Sequence, residues 1–123
     1  MNRSEFQAKF PQNEDYHVEY KSAKGGIPGS LWETYSAMAN TDGGQIILGV
    51  KETEGRLEIQ GLENIEDSKT RFWNDVNNRN VVSMNLLKND DVEVLEVEGK
   101  KLLLINVPRA ARRQRPVYVG QNP

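Results

Sequence analysis

Ala37-Met38-Ala39-Asn40-Thr41-Asp42-Gly43-Gly44-Gln45-Ile46-Ile47-Leu48-Gly49-Val50 is the stretch on which the fold turns. Upstream of it, Leu31, Trp32, Tyr35, Met38 and Ala39 recur at helical spacing, and Ser30 with Glu33 matches a capping box, so the sequence predicts a helix over residues 31–40. Asn40 to Gly44 ends it, because paired glycines allow positive φ and a tight reversal. Residues 45–51 are then apolar and β-branched, which suits a strand buried on both faces. Helix, sharp turn and buried strand, in that order, call for a layered α+β domain.

Working outward, His17-Val18-Glu19-Tyr20-Lys21 alternates as a half-buried strand. Residues 53–56 look like a turn into a short strand over 57–60. A second helix is expected from Asp67 or Ser68 and carries Phe72, Trp73 and Val76 on its apolar face. Residues 91–97 and 101–107 form a hairpin about Glu98-Gly99, and residues 116–119 read as a last short strand. The order is β-α-β-β-α-β-β-β: α+β, with a mixed, largely antiparallel sheet and two helices. Residues 1–16, polar with isolated Phe6 and Phe10, read as a loosely attached N-terminal arm, 17–120 as the domain, and 121–123 as a link to a region absent here. The sequence is accordingly expected to be the N-terminal piece of a longer protein.

The 123 residues contain no Cys and one His, so disulfides, Cys-ligated zinc, thiol catalysis and multi-His metal sites are excluded. Neither a membrane-length apolar run nor a signal-peptide pattern is present, and a cytoplasmic protein without a membrane partner is the default expectation. The net charge of -2 hides an asymmetry. Residues 1–108 hold 12 Lys+Arg against all 18 Asp+Glu, whereas Arg109, Arg112, Arg113 and Arg115 stand in a C-terminal stretch without an acid. Such a run is either a solvated tail or a surface for an anionic partner. The planar guanidinium fork favours phosphate, with Lys21 and Lys24 as candidate extensions of the footprint.

Three further features bear on chemistry. Gly44 to Lys51 nearly matches a phosphate-binding loop, but its interior is strand-forming and would commit its N–H groups to a ladder, which argues against P-loop ATP hydrolysis. Glu14, Asp15 and Glu19, with Glu52 and Glu54, are acids that two adjacent strands could bring together, and converging carboxylates bind Mg²⁺ or Mn²⁺. The same acids are equally an ordinary solvated strand face, with Glu19 and Lys21 as a surface ion pair. His17 is a ligand, a nucleic-acid contact or a plain surface residue. Tyr118, beside the arginines, is a base-stacking platform or an ordinary strand residue.

The ordered series Glu19-Tyr20-Lys21, Ala37 to Gly44, Ile47-Leu48-Gly49-Val50, Gly61-Leu62, Val107-Pro108 and Pro116-Val117-Tyr118 resembles the Schlafen AlbA-type domain, also called the divergent AlbA or divergent AAA family, over about residues 14–120. The resemblance implies an AlbA-like α+β fold and a DNA-binding domain at the N-terminus of a bacterial transcriptional regulator. In the animal branch it implies a metal-dependent RNA nuclease with three acids. Glu14 and Glu19 match the first two of these by spacing, and Glu52 matches the third with Glu in place of Asp. The expected partner is nucleic acid, DNA before RNA, and a homodimer is left open. Mg²⁺ or Mn²⁺ is implied only for a nuclease with Glu14, Glu19 and Glu52 as catalytic and metal-binding residues. A protein-interaction or assembly domain is the remaining alternative. Asn40, Thr41, Gly43 and Gly44 are expected to form a structural turn.

Overall fold

The computed structural model describes residues 1–10 and 17–120. The elements are α1 (Arg3–Lys9), β1 (Val18–Lys21), α2 (Ser30–Ala39), β2 (Gly44–Leu48), β3 (Val50–Thr53), β4 (Arg56–Ile59), α3 (Ile65–Val76), β5 (Val92–Val97) and β6 (Lys100–Val107), with 3-10 turns at Asn89–Asp91 and Arg112–Gln114. Four strands form a mixed sheet in the order β1-β2-β6-β5, and β3 and β4 form a separate hairpin. Only β1 and β2 run parallel; the other pairs are antiparallel. The architecture is the expected α+β with a largely antiparallel sheet, and among the described residues it has three α-helices rather than two.

Strand alternation divides the core in two. On β2, Ile46 and Leu48 face a cluster with Leu31, Trp32, Tyr35 and Phe72 from α2 and α3. Ile47, between them, faces the other side, where Phe6, Phe10 and Tyr20 gather. β6 behaves alike, with Leu103 and Ile105 on the first face and Leu102 and Leu104 on the second. Both faces of the central strands are therefore covered, which is why their sequences are apolar without alternation.

The additional helix comes from the segment expected as a loose arm. Asn2 caps it, its side chain accepting from the Glu5 N–H at 2.8 Å while the Glu5 carboxylate accepts from the Asn2 N–H. Phe6 and Phe10 stand one helical turn apart and are both buried against the sheet. The terminal ammonium donates to the Glu96 carbonyl at 2.7 Å, and the Glu98 N–H donates to the Met1 carbonyl at 3.0 Å, so the chain start pairs with the open edge of β5. Residues 1–10 of the arm are docked as a lid on the second core. The two phenylalanines decide this, because burying each contributes about 1.5–3 kcal/mol.

Four local expectations are corrected. The strand expected over 45–51 breaks at Gly49, whose φ of +102° turns the chain so that Val50 faces the second core instead of the first. Ser30 is not an N-cap: it lies inside α2, Gly29 occupies the cap position without a side-chain bond, and the Ser30 hydroxyl instead accepts from Lys21 Nζ at 3.4 Å. Helix α3 starts at Ile65 because Asn64 caps it, accepting from the Asp67 N–H at 3.0 Å. The last strand reduces to a single bridge between Val82 and Val119. The Glu98-Gly99 turn forms as expected, both residues having positive φ.

Candidate nucleic-acid interface

The interface is built at the end of α2. As the helix stops, the Gly43 N–H donates to the Met38 carbonyl at 2.8 Å and the Thr41 hydroxyl donates to the Ala37 carbonyl at 2.8 Å, folding Asn40 to Gly44 back over the last turn. Gly43, at φ +78°, lies flat against the exit of β6: a Cβ there would stand 2.6 Å from the Val107 oxygen and 3.2 Å from the Arg109 nitrogen. Gly44 is extended, and its need for glycine is steric, since a Cβ would meet Met38 Sδ at 2.7 Å and the His17 oxygen at 2.8 Å. The turn is structural, as expected, and its location gives it a further consequence.

That turn holds the arginine segment. The Ala110 N–H donates to the Ala39 carbonyl at 2.8 Å. One residue on, the Asn40 amide pairs with Val117 in both senses: Oδ1 accepts from the Val117 N–H at 2.7 Å, and Nδ2 donates to the Val117 carbonyl at 2.7 Å. Ala110 and Val117 are buried, and the two Asn40 bonds are partly so. Ala39, the last residue of α2, and its C-cap Asn40 thus grip the two ends of the loop. Between the anchors, the Gln114 side chain accepts from the Ala111 N–H at 2.8 Å and Arg112–Gln114 form the 3-10 turn. The loop is internally braced rather than a solvated tail.

Arg109, Arg112 and Arg113 are exposed on this loop and Arg115 is half-buried. Among the described residues the ion pair is Arg3 with Glu98, at 3.1 Å, and none of the four loop arginines is matched there to a carboxylate. A fixed loop carrying unmatched guanidiniums presents donors to an external anion with little ordering cost on binding. A hollow of about 400 Å³ flanks it, with Arg109 and Gln114 on one wall and Lys88 and Asp91 on the other. Tyr118 is tied by its backbone to Ser83 beside the loop, its N–H donating to Ser83 Oγ at 3.0 Å.

Lys21 and Lys24 lie elsewhere. Lys21 pairs with Leu48 at the far end of the parallel ladder, whereas Gly44 and Val107 mark the arginine end. Four residues of strand separate them, about 13 Å. Lys24 lines a different cleft of about 240 Å³ with Arg71 and Asp67. Both therefore lie apart from the arginine loop.

The carboxylates separate as well. Glu19 points to the α2 side, into a groove with Thr34 and Met38. Its neighbour Tyr20 points to the opposite side, where its hydroxyl donates to the Phe10 carbonyl at 3.0 Å. Glu52 stands across from Leu57 on the hairpin face that joins that second core. The Tyr20 phenol registers it: burial, and secondarily the Glu52 charge, push its pKa up to about 12. Glu19 thus lies in the groove beside α2 and Glu52 near the Tyr20 phenol. The expectation that two adjacent strands of one sheet would bring them together is corrected: β1 and β3 belong to different sheets. Glu14 lies outside the described residues. Among the described residues no group of three His, Asp or Glu is placed to hold a metal.

The sequence reading missed Asn40 as an anchor of the arginine loop. The signal was present, since an Asn side chain carries a donor and an acceptor and can mimic a strand partner. The Gly44 to Leu48 strand reading holds, with its backbone paired to β1 and β6 as far as Leu48.

Fold and site together define a small mixed-sheet domain whose signature turn secures a basic loop. Residues 14–122 match the family described as Schlafen, AlbA_2, and the chain belongs to that family. Among solved structures it is similar to the N-terminal domain of a RecG-related protein from Nitrosomonas europaea, named as a candidate ATP-dependent DNA helicase. That match has 26% identity and a TM-score of 0.72, and covers 94% of this chain and 76% of that one. It is also similar in fold to the DIP2311 protein from Corynebacterium diphtheriae, with 23% identity and a TM-score of 0.56, covering 88% of this chain and 22% of that one. Among curated proteins none matches. Among the described residues no helix is long and apolar enough to cross a membrane.

Proposed function

We propose that this domain binds nucleic acid, DNA in preference to RNA, through the loop of Arg109, Arg112, Arg113 and Arg115, and that it serves as the binding module of a bacterial transcriptional regulator. The observation that carries the reading is the loop itself: four guanidiniums on a segment gripped at both ends, unmatched by carboxylates among the described residues. Phosphate is the anion that such forks suit, and contacts of this kind fix affinity without reading sequence. Membership in the Schlafen AlbA_2 family supports a nucleic-acid role, and a structural neighbour named for DNA helicases favours DNA. The rest of the chain, residues 1–108, carries 18 Asp+Glu against 12 Lys+Arg, so the arginine segment stands out as the concentration of positive charge.

Fluorescence anisotropy with two unrelated DNA duplexes at low salt tests this. The protein carrying Arg112→Ala with Arg113→Ala is expected to bind both duplexes about tenfold more weakly and by similar factors. Affinity unchanged by the double substitution would reject the assignment.

A further inference from the structure

The arginine loop does not end in open solvent. Through Gly43, whose missing Cβ would stand 3.2 Å from the Arg109 nitrogen, it adjoins the groove between β1 and α2. This groove holds about 300 Å³ and is bordered by His17, Glu19, Thr34, Met38, Thr41 and Gly43. Its volume is at the lower end for small-molecule sites, about 300 Å³.

The chemistry of the groove differs from that of the loop. The Glu19 carboxylate projects into it and, among the described residues, has neither a hydrogen bond nor an ion pair. An anion is therefore repelled from the groove while being attracted to the loop beside it. A group that fits both must be anionic on one side and an uncharged, flat hydrogen-bond donor on the other. A nucleotide of a single strand has this form, with its phosphate on the arginines and its base turned aside. Base edges differ in what they offer a carboxylate, which only accepts. Guanine presents N1–H and N2–H side by side and can engage both oxygens. Thymine presents one N–H between two carbonyls, which a carboxylate repels. Met38 supplies an apolar surface for a base plane.

We propose that the β1–α2 groove receives an unstacked guanine of a single-stranded nucleic acid whose phosphates lie on the arginine loop, with Glu19 reading the guanine edge. This rests on the nucleic-acid reading above and adds to it a subsite and a base preference. The phosphate contacts supply most of the affinity, and Glu19 supplies discrimination.

The test compares two labelled DNA decamers, oligothymidylate and the same strand with one central guanine, by fluorescence anisotropy at low salt. The guanine strand is expected to bind about fivefold or more tightly, as one bidentate carboxylate–base pair confers. Glu19→Ala, with its fold checked by a melting curve, is expected to remove the difference between the strands. Arg112→Ala with Arg113→Ala is expected to weaken both strands and keep their ratio. Equal affinities in the unaltered protein, or a guanine preference that survives Glu19→Ala, would overturn the groove assignment and leave the arginine interface standing. No binding of either strand would overturn the groove assignment, and the arginine interface falls with it only if the DNA duplexes also fail to bind.

Discussion

Replacing Asn40 by Ala removes two hydrogen bonds at once and leaves the Val117 N–H and carbonyl without protein partners. Each such bond contributes about 1 kcal/mol net, and a buried group left unsatisfied costs about 1–3 kcal/mol. The Asn40–Val117 contact is only partly buried, so water recovers part of the loss. The expected destabilisation is about 2 kcal/mol. For a chain of 123 residues that lowers Tm by about 8 °C. Urea unfolding followed by circular dichroism measures it, with the midpoint shifting and the slope unchanged. Asn40→Asp separates the two bonds: its carboxylate still accepts from the Val117 N–H but repels the Val117 carbonyl, so Asp is expected to be no better than Ala. Hydrogen exchange adds the local readout, because the Ala110 and Val117 amides lose protection before the sheet does. A stability change below about 0.5 kcal/mol with unchanged amide protection would refute the reasoning that Asn40 clasps the loop.

Gly43→Ala and Gly55→Ala both place a Cβ at φ +78°, but only the first meets backbone, at 2.6 Å from the Val107 oxygen. Gly55→Ala is expected to cost about 1–2 kcal/mol and Gly43→Ala clearly more; equal urea midpoints would contradict the packing of the turn on β6. Phe6→Ala is expected to destabilise by about 3–5 kcal/mol in the same assay, as a core phenylalanine does, whereas a loose arm would give almost none. The Tyr20 pKa, raised from 10.0 to about 12, means that the folded protein holds its proton more tightly than the unfolded chain. Its stability contribution is complete below pH 10 and falls as pH rises from about 10 to 12. Tyr20→Phe should flatten that alkaline decline in pH-dependent melting curves, and a decline as steep as in the unaltered protein would show that another group causes it.

Much of the sheet is legible in the residues. Strand β1, the β5–β6 hairpin and α2 lie within a residue or two of their expected bounds, because alternation, helical spacing and turn glycines all agree there. The failures have physical causes. Gly49 looked like part of a continuous apolar strand, because a lone glycine in such a run does not disclose a positive φ. Phe6 and Phe10 stand isolated in a polar stretch of sequence, although their four-residue spacing is one helical turn. Their burial depends on a sheet face formed by residues far along the chain. The arginine surface was visible as composition, but its anchorage was not, since the Asn40–Val117 pairing spans 77 positions. Glu19 and Glu52 invited a shared site because strand adjacency is easily inferred, whereas the turn at Gly49 leaves β1 and β3 in different sheets.

The central claim is that the clasped arginine loop is where nucleic acid touches this protein. Titrating the isotopically labelled protein with a short DNA duplex and following backbone amide chemical shifts tests it directly. The largest changes are expected at Ala110 to Gln114, with smaller ones at Asn40, Gly43 and Val117. Changes confined to the Lys24–Arg71 end of the sheet, or none at low salt, would contradict the account.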